Sequence, residues 1–463
     1  MKRTKSILCL LLTVCLILSM SAVSAFASSF TDAHGNVIEL DDSLEAYTDN
    51  ALYGANDAAR KGETNLGDLW TDALRWFAVS GEINAYFDED DVAAGNKSVA
   101  VDADHIVAIW NGGNLRDDLA AGKFGAEDLA KVLPYPNKVA VVYLTGAQLE
   151  EQLEAACYGM PYTEASASAA ASFLQVAGLK YTVDTNKKYD KGEAYGKNWF
   201  KANSVTRVSI SEVNGKALDK TATYALITSN AYFNGMDAAY VIKEAAAADE
   251  RSTITNAVVR DVIWLYLQKQ LSNRVGADYA QAAGRITIKA PAFSDVVAGT
   301  YYAEPVAWAA EKGVLEAKDG KVCPDADCSR AEVVSFLWKA AGSPEPTTST
   351  NPFSDVSSDN AAYKAILWAA EKSIAGGYNG KFNPDRTVNR AEALTFLFRA
   401  AGSPAAGTKA GFSDAVSGSF YEKAVDWAAE KKVAGGIGNN LFAPTRTCNR
   451  AEILTFIYRC YNN

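Results

Sequence analysis

Histidine is nearly missing: His34 and His105 are the only two in 463 residues. Dinuclear hydrolase centres draw heavily on imidazole ligands, so most centres of that kind are excluded for this chain unaided. A Ser-His-Asp triad would have to pass through His34 or His105, and neither stands beside a nucleophile motif. Basic charge is also short, with 45 Lys and Arg against 55 Asp and Glu for a net charge of −10. That balance speaks against a nucleic acid polymer as partner, because phosphate backbones demand a basic face. Beyond the first residues no run of about 18 apolar residues occurs, so no second membrane span is expected. Cysteine is sparse. Of seven, Cys9 and Cys15 fall in an N-terminal leader, leaving Cys157, Cys323, Cys328, Cys448 and Cys460. An odd set of five argues against a disulfide scaffold, although an oxidising exterior would permit one local bridge. Cys323 and Cys328 lack a second Cys or His pair close by, and Asp88, Glu89, Asp90 and Asp91 lack a glycine-spaced calcium loop, so no metal site is assigned. No catalytic residue and no cofactor is assigned either.

What is present is a chain long enough for two to four domains, with 49% apolar residues to build their cores. Lys2, Arg3 and Lys5, an apolar run over residues 7–20, and Ala25-Phe26-Ala27 read as a signal peptide over residues 1–27, with an uncleaved anchor as the alternative. A lead segment then spans residues 28–59.

The strongest pattern is a unit of about 60 residues that occurs three times. Phe293-Ser294-Asp295, Phe353-Ser354-Asp355 and Phe412-Ser413-Asp414 open the copies. Trp308, Trp368 and Trp427 each start a Trp-Ala-Ala-Glu-Lys stretch, and Arg330-Ala331-Glu332, Arg390-Ala391-Glu392 and Arg450-Ala451-Glu452 follow. Each copy reads as two helices joined by a glycine-rich loop. Ser329 with Glu332, Asn389 with Glu392 and Asn449 with Glu452 form capping boxes at the second helix. Capping explains the glutamates but not the arginines, whose place beside a helix N-terminus suits anionic ligands. Each tryptophan fits core packing or sugar stacking equally.

These residues resemble the S-layer homology module. The resemblance covers residues 291–463, as repeats at 291–346, 347–404 and 405–463. It implies an all-α pseudo-threefold assembly that binds secondary cell-wall polysaccharide without covalent attachment, and hence an extracellular place in a bacterial cell wall or S-layer. By the same resemblance the grooves use Asp295, Trp308, Arg330 and Glu332, with Asp355, Trp368, Arg390, Glu392, Asp414, Trp427, Arg450 and Glu452. The first copy carries Glu316-Ala317 where the others carry Gly-Gly, so the first groove is expected to be weaker.

Residues 60–290 mix strands and helices, an α+β pattern. Residues 139–144 read as a strand followed by a helix capped by Thr145 and Gln148. Residues 205–213 and 223–228, around the Asn214-Gly215 turn, read as a hairpin, and residues 252–271 as one long amphipathic helix. Residues 106–110 form a short apolar strand that ends in Asn111-Gly112-Gly113-Asn114-Leu115-Arg116, where two glycines permit close backbone approach.

That segment stands in order with Glu63-Thr64-Asn65-Leu66-Gly67, Leu133-Pro134-Tyr135, Leu144-Thr145-Gly146-Ala147-Gln148-Leu149, Phe173-Leu174-Gln175-Val176-Ala177-Gly178, Asn234-Gly235-Met236-Asp237 and Gly284-Arg285-Ile286. Together they resemble the C-terminal, substrate-recognition domain of the 5'-nucleotidase family. The resemblance implies a nucleotide or nucleoside ligand, with Asn111 and Arg116 on the sugar or base, Tyr135 as one face of an aromatic clamp, and Asp237 on the ribose hydroxyls. Three departures stand out. Ala231 follows Asn230 where the family has its second clamp aromatic, leaving Tyr232 or Phe233 as alternatives. Arg60 is the nearest basic residue where the family often has one beside Gly62. The family's metallophosphatase domain has no counterpart here. The expectation is an exported surface protein that captures nucleotides without cutting them. The alternatives are a share in a nucleotide-hydrolysing assembly with a separate metallophosphatase, an enzyme of unrecognised chemistry, and a surface-layer scaffold that binds nothing small.

Overall fold

The computed structural model describes residues 29–31, 37–39, 45–55, 57–348 and 350–462. The leader and the Asp32-Ala33-His34 stretch lie outside them. The chain divides into two compact units, one ending at Ile288 and the other comprising Asp184–Tyr189 and the residues from Lys289 onward.

The front unit is built on a mixed five-stranded sheet of β1 (Ile106–Asn111), β2 (Lys138–Thr145), β3 (Leu174–Ala177), β4 (Thr223–Ser229) and β5 (Thr253–Val258). The spatial order is β5-β2-β4-β1-β3, antiparallel except where β4 runs parallel to β1. Alternate residues feed two cores, because successive side chains of a strand point to opposite faces. Ile106, Ala108 and Trp110 pack with helices Asn65–Val79 and Val259–Lys269, while Val107 and Ile109 pack with helices Gly146–Ala156 and Tyr240–Ala248. A sheet covered on both faces follows.

Two expected elements differ. Residues 205–213 and 223–228 do not pair with each other: Val208–Val213 joins Leu179–Asp184, and β4 inserts between β2 and β1. Tyr224 to Ser229 are all buried, so β4 needs neighbours on both sides, which a lone hairpin cannot supply. The expected long helix over residues 252–271 begins instead as strand β5. Its Thr253, Ile254, Thr255 and Val258 are β-branched, and the Thr255 hydroxyl donates to the Val139 carbonyl at 3.0 Å. Strand Glu45–Thr48 pairs with Gly122–Gly125, so part of the expected lead segment belongs to this unit.

Buried polar side chains fasten the segments together. Gln175, fully buried on β3, accepts from Thr64 N–H at 2.9 Å and donates to the carbonyls of Ala59 at 3.0 Å and Gly62 at 2.9 Å. Glu63 accepts from the N–H groups of Arg285 and Ile286, both at 2.9 Å. Arg285 in turn donates to Asp72 at 2.7 Å and to the Val176 carbonyl at 2.8 Å.

Each repeat gives the second unit two helices: Ala303–Glu311 and Arg330–Ala340, Tyr363–Glu371 and Arg390–Ala400, and Glu422–Glu430 and Arg450–Asn462. Pairing runs between repeats, Arg330–Ala340 with Tyr363–Glu371, Arg390–Ala400 with Glu422–Glu430, and Arg450–Asn462 with Ala303–Glu311. The capping boxes form as expected at Ser329 and Asn389, and Asn449 and Glu452 exchange the same two hydrogen bonds. The three pairs close into a pseudo-threefold ring around one core. On its axis Val388 N–H donates to Cys328, Cys448 N–H to Val388, and Cys328 N–H to Cys448, at 3.0, 3.0 and 3.1 Å.

Replacing Gln175 with Ala strips partners from one buried N–H and two buried carbonyls. A loss of about 3 kcal/mol is expected, measurable as a lower denaturation midpoint for the front unit in urea followed by tryptophan fluorescence.

Candidate functional site

In the front unit the chain turns sharply at the end of β1. Gly112 and Gly113 are required there by close packing: a Cβ on Gly112 would sit 2.1 Å from the Ala59 carbonyl oxygen, and one on Gly113 2.8 Å from the Ala171 Cβ. The approach that the glycines permit is thus made by the chain's own backbone. The turn carries Arg116 to the end of helix Ala126–Val132, where its N–H donates to the Val132 carbonyl at 2.9 Å. Tyr135 follows that helix, 52% exposed, with the Arg116 guanidinium 5.8 Å from its ring centre.

Asp237 arrives from the loop after β4, in a left-handed conformation at φ 55°. Its carboxylate accepts from the Asn111 amide at 3.0 Å. Burial raises the Asp237 carboxyl above its ordinary pKa, while the Asn111 hydrogen bond, Arg60 and Arg116 pull it down. The Arg60 guanidinium thus lies near enough to act on Asp237, while its Nη1 donates to the Ala167 carbonyl at 3.2 Å. The Asn111 Oδ1 is buried and has no hydrogen-bond partner among the described residues, so a donor arriving there would satisfy it. The structure thus brings Asn111, Asp237 and Arg60 within mutual influence, with Arg116 over Tyr135.

The second clamp wall is not Tyr232. Its ring is 1% exposed in the core and its hydroxyl donates to the Ser172 carbonyl at 3.2 Å. The loop around Gly235 is pinned by the Tyr195 hydroxyl, which donates to its carbonyl at 2.8 Å. His105 lies away from this cluster, against Asp102 at 2.7 Å. Asp88 and Asp91 form a capping box on a short helix. Among the described residues no group of three potential metal ligands occurs.

In the ring, the repeated Arg-Ala-Glu triplets are joints between neighbours. Arg330 of the first repeat donates to the Phe382 carbonyl at 2.9 Å and the Gly376 carbonyl at 2.6 Å in the second, and lies 3.7 Å from Glu392. Arg390 reaches the third in the same way, through the carbonyls of Phe442 and Gly435, both at 3.0 Å, and Glu452 at 2.8 Å. Arg450 returns to the first, to the Val322 carbonyl and Glu332. Phe382 and Phe442 also lie under the Arg330 and Arg390 guanidinia, at 4.7 and 5.1 Å. The Arg330 and Arg390 side chains are 8% and 4% exposed, that of Arg450 22%. Burial lowers the pKa of both Arg330 and Arg390, with Glu392 and Glu452 opposing it.

The third seam departs from threefold symmetry. Arg386 and Arg446 supply second guanidinia to Glu392 and Glu452, while Ala326 stands at the matching place before Glu332. Glu316 and Ala317 also replace the glycines whose carbonyls receive Arg330 and Arg390.

The remaining ring residues divide by burial. Asp295, Asp355 and Asp414 each accept two backbone N–H groups of their own repeat's loop, from Val322 and Cys323, Phe382 and Asn383, and Phe442 and Ala443, at 2.7–2.9 Å. The residues they hold include Cys323, Asn383 and Ala443, all with positive φ, so these carboxylates stabilise strained turns. Trp368 and Trp427 are 6% and 4% exposed in the core, which decides for packing at those two positions; Trp308 is half-buried, edge-on to Tyr458 at 5.7 Å.

The comparisons agree with both halves. The model of the 5'-nucleotidase, C-terminal domain matches residues 45–244, and that of the S-layer homology domain matches residues 292–334, 352–394 and 411–454. The chain joins a 5'-nucleotidase C-terminal domain to three S-layer homology domains. No N-terminal metallophosphatase domain accompanies them in this sequence. The chain is 29% identical over 231 residues to the trifunctional nucleotide phosphoesterase protein YfkN of Bacillus subtilis, covering 50% of this chain and 13% of that protein. It is 28% identical over 145 residues to a cellulosome-anchoring protein of Acetivibrio thermocellus, covering 29% and 32%. It therefore spans a third or less of each relative's length. A 5'-nucleotidase precursor from Thermus thermophilus superposes with a TM-score of 0.37 at 25% identity, over 52% of this chain and 39% of that one. The S-layer homology domains place the protein at the bacterial cell surface or wall and imply binding to cell-wall polysaccharide. Among the described residues no helix is long and apolar enough to cross a membrane.

Removing Arg390 uncovers two carbonyls and takes one of its two guanidinia from Glu452, whereas Arg450 is more exposed. Arg390→Ala is expected to cost about 3 kcal/mol and Arg450→Ala about half as much, read as the order of their thermal midpoints in the full chain.

Proposed function

We propose that this protein displays, at the cell wall, a domain that captures nucleotides or nucleosides without hydrolysing them. The observation that carries the reading is the meeting of Asn111 and Asp237 beside Arg60, with Arg116 over the exposed ring of Tyr135. A base stacks on Tyr135, the sugar hydroxyls donate to Asp237, and Asn111 Oδ1 accepts a further hydrogen bond. Arg60 and Arg116 offset the charge of a phosphate or of Asp237 itself. The two histidines leave no imidazole set for a dinuclear centre, which supports capture over cleavage. The second reading is a recognition subunit for a separately encoded metallophosphatase, favoured by the match to a domain that YfkN carries within a far longer chain.

For the anchor, we propose that wall polysaccharide lies along the seams between repeats. Arg330 with Glu392, Arg390 with Glu452, and Arg450 with Glu332 shape these seams, Asp295, Asp355 and Asp414 fix their loops, and Trp308 offers a ring edge. Trp368 and Trp427 support them from the core.

Titration calorimetry of the full chain against adenosine and AMP tests the capture reading. Wild type should bind, Tyr135→Ala and Arg116→Ala should weaken binding at least tenfold, and no binding by wild type overturns it. Hydrolysis of AMP with Mn2+ or Zn2+ by the purified chain overturns the non-catalytic part.

Only an ionised Asp237 accepts from both ribose hydroxyls, and its pKa is raised. Affinity should therefore fall on acidification from a higher pH than an ordinary aspartate would give, and Asp237→Asn should flatten that dependence. For the anchor, co-sedimentation with purified walls should vanish once the wall polymer is stripped. Persistence would sink the polysaccharide assignment.

A further inference from the structure

We infer that Cys328 and Cys448 are a disulfide pair that covalently closes the ring between its first and third repeats. Both are free thiols in this structure and both are fully buried in the same core. They adjoin the antiparallel bridge between Asp327 and Asn449, and the Cys328 N–H donates to the Cys448 carbonyl at 3.1 Å while the Cys448 N–H turns to Val388. A backbone hydrogen bond of that length holds two Cα atoms about 5.5 Å apart, inside the range of about 4.4–6.8 Å that disulfides span. The third vertex of the axial triangle is Val388, so the axis holds two thiols and a single possible pairing. The other three cysteines among the described residues stand apart: Cys157 is in the front unit, Cys323 is exposed on a loop, and Cys460 is at the end of the last helix.

The location supports oxidation, since a cell-surface protein works outside the reducing cytosol. The reaction is exchange with a low-molecular-weight disulfide. The two protein thiols lose two protons and two electrons and form one S–S bond, and the small disulfide takes up both and leaves as two thiols. Timing follows from burial. Desolvation pushes the Cys328 thiol up to about 12 and raises Cys448 as well, so neither is a nucleophile once the ring has closed. The bond therefore forms while the seam between repeats three and one is still open.

The test is refolding of the full chain from denaturant in a mixture of reduced and oxidised glutathione. Free thiols are then alkylated under denaturing conditions and the peptides mapped. The expected result is a linked Cys328–Cys448 peptide with Cys157, Cys323 and Cys460 alkylated. The oxidised protein should melt several degrees above the reduced one. Cys323→Ser should keep the link. Cys448→Val, which copies the residue of the middle repeat and preserves packing, should abolish it and melt like reduced wild type. Alkylation of both Cys328 and Cys448, or a link from Cys328 to Cys323, overturns the inference.

Discussion

A guanidinium taken out of water must find acceptors nearby, and this requirement organises the whole repeat unit. Arg330 and Arg390 are nearly sealed from solvent, and what satisfies them belongs to the following repeat: backbone carbonyls at the mouth of its loop and a glutamate at the start of its second helix. An isolated repeat would leave its arginine without those acceptors and its loop carbonyls without a donor. The cost of a buried, unpaired charge is several kcal/mol, enough to make one repeat alone a poor folding unit. In the closed ring every copy both gives and receives.

The front unit uses buried polarity differently, to hold a surface cluster from behind. Gln175 clamps the turn after Ala59, Glu63 grips the returning tail at Arg285 and Ile286, and Gly112 lets Ala59 press against the end of β1. These contacts fix the strand end from which Asn111 projects and the turn that delivers Arg116. Several motif residues are therefore scaffold for that cluster and not members of it. A substitution at Gln175 or Gly112 would consequently shift that cluster from a distance.

Much of this is legible in the sequence where the deciding interactions are local. Capping boxes span three residues, so Ser329 with Glu332 and Asn389 with Glu392 announce their helices, and the repeat period announces the second unit. Partner choice between strands is not local. Residues 205–213 and 223–228 flank a genuine Asn214-Gly215 turn, yet the demand for two covered faces sends β4 to the centre of the sheet. Strand β5 reads as helix because its β-branched residues run directly into a helix with no break. At the site, Asn111, Arg116, Tyr135 and Asp237 stand out as a set, but the influence of Arg60 on Asp237 depends on a fold that brings together residues far apart in sequence. The arginines of the repeats are conspicuous in the sequence but unexplained there, because each finds its acceptors some fifty residues downstream or, for Arg450, more than a hundred upstream.

The closed ring has a consequence for how such a chain can be rearranged. The seam between the third repeat and the first is made by the same kinds of contact as the two seams between consecutive repeats, with Ala326 rather than arginine beside Glu332. Chain connectivity therefore contributes little that geometry does not already provide. A gene encoding the repeats in the order two, three, one would preserve every joint, whereas deleting any one repeat would break two joints and create none. The three copies form a single inheritable cassette, free to begin at any member but not to lose one.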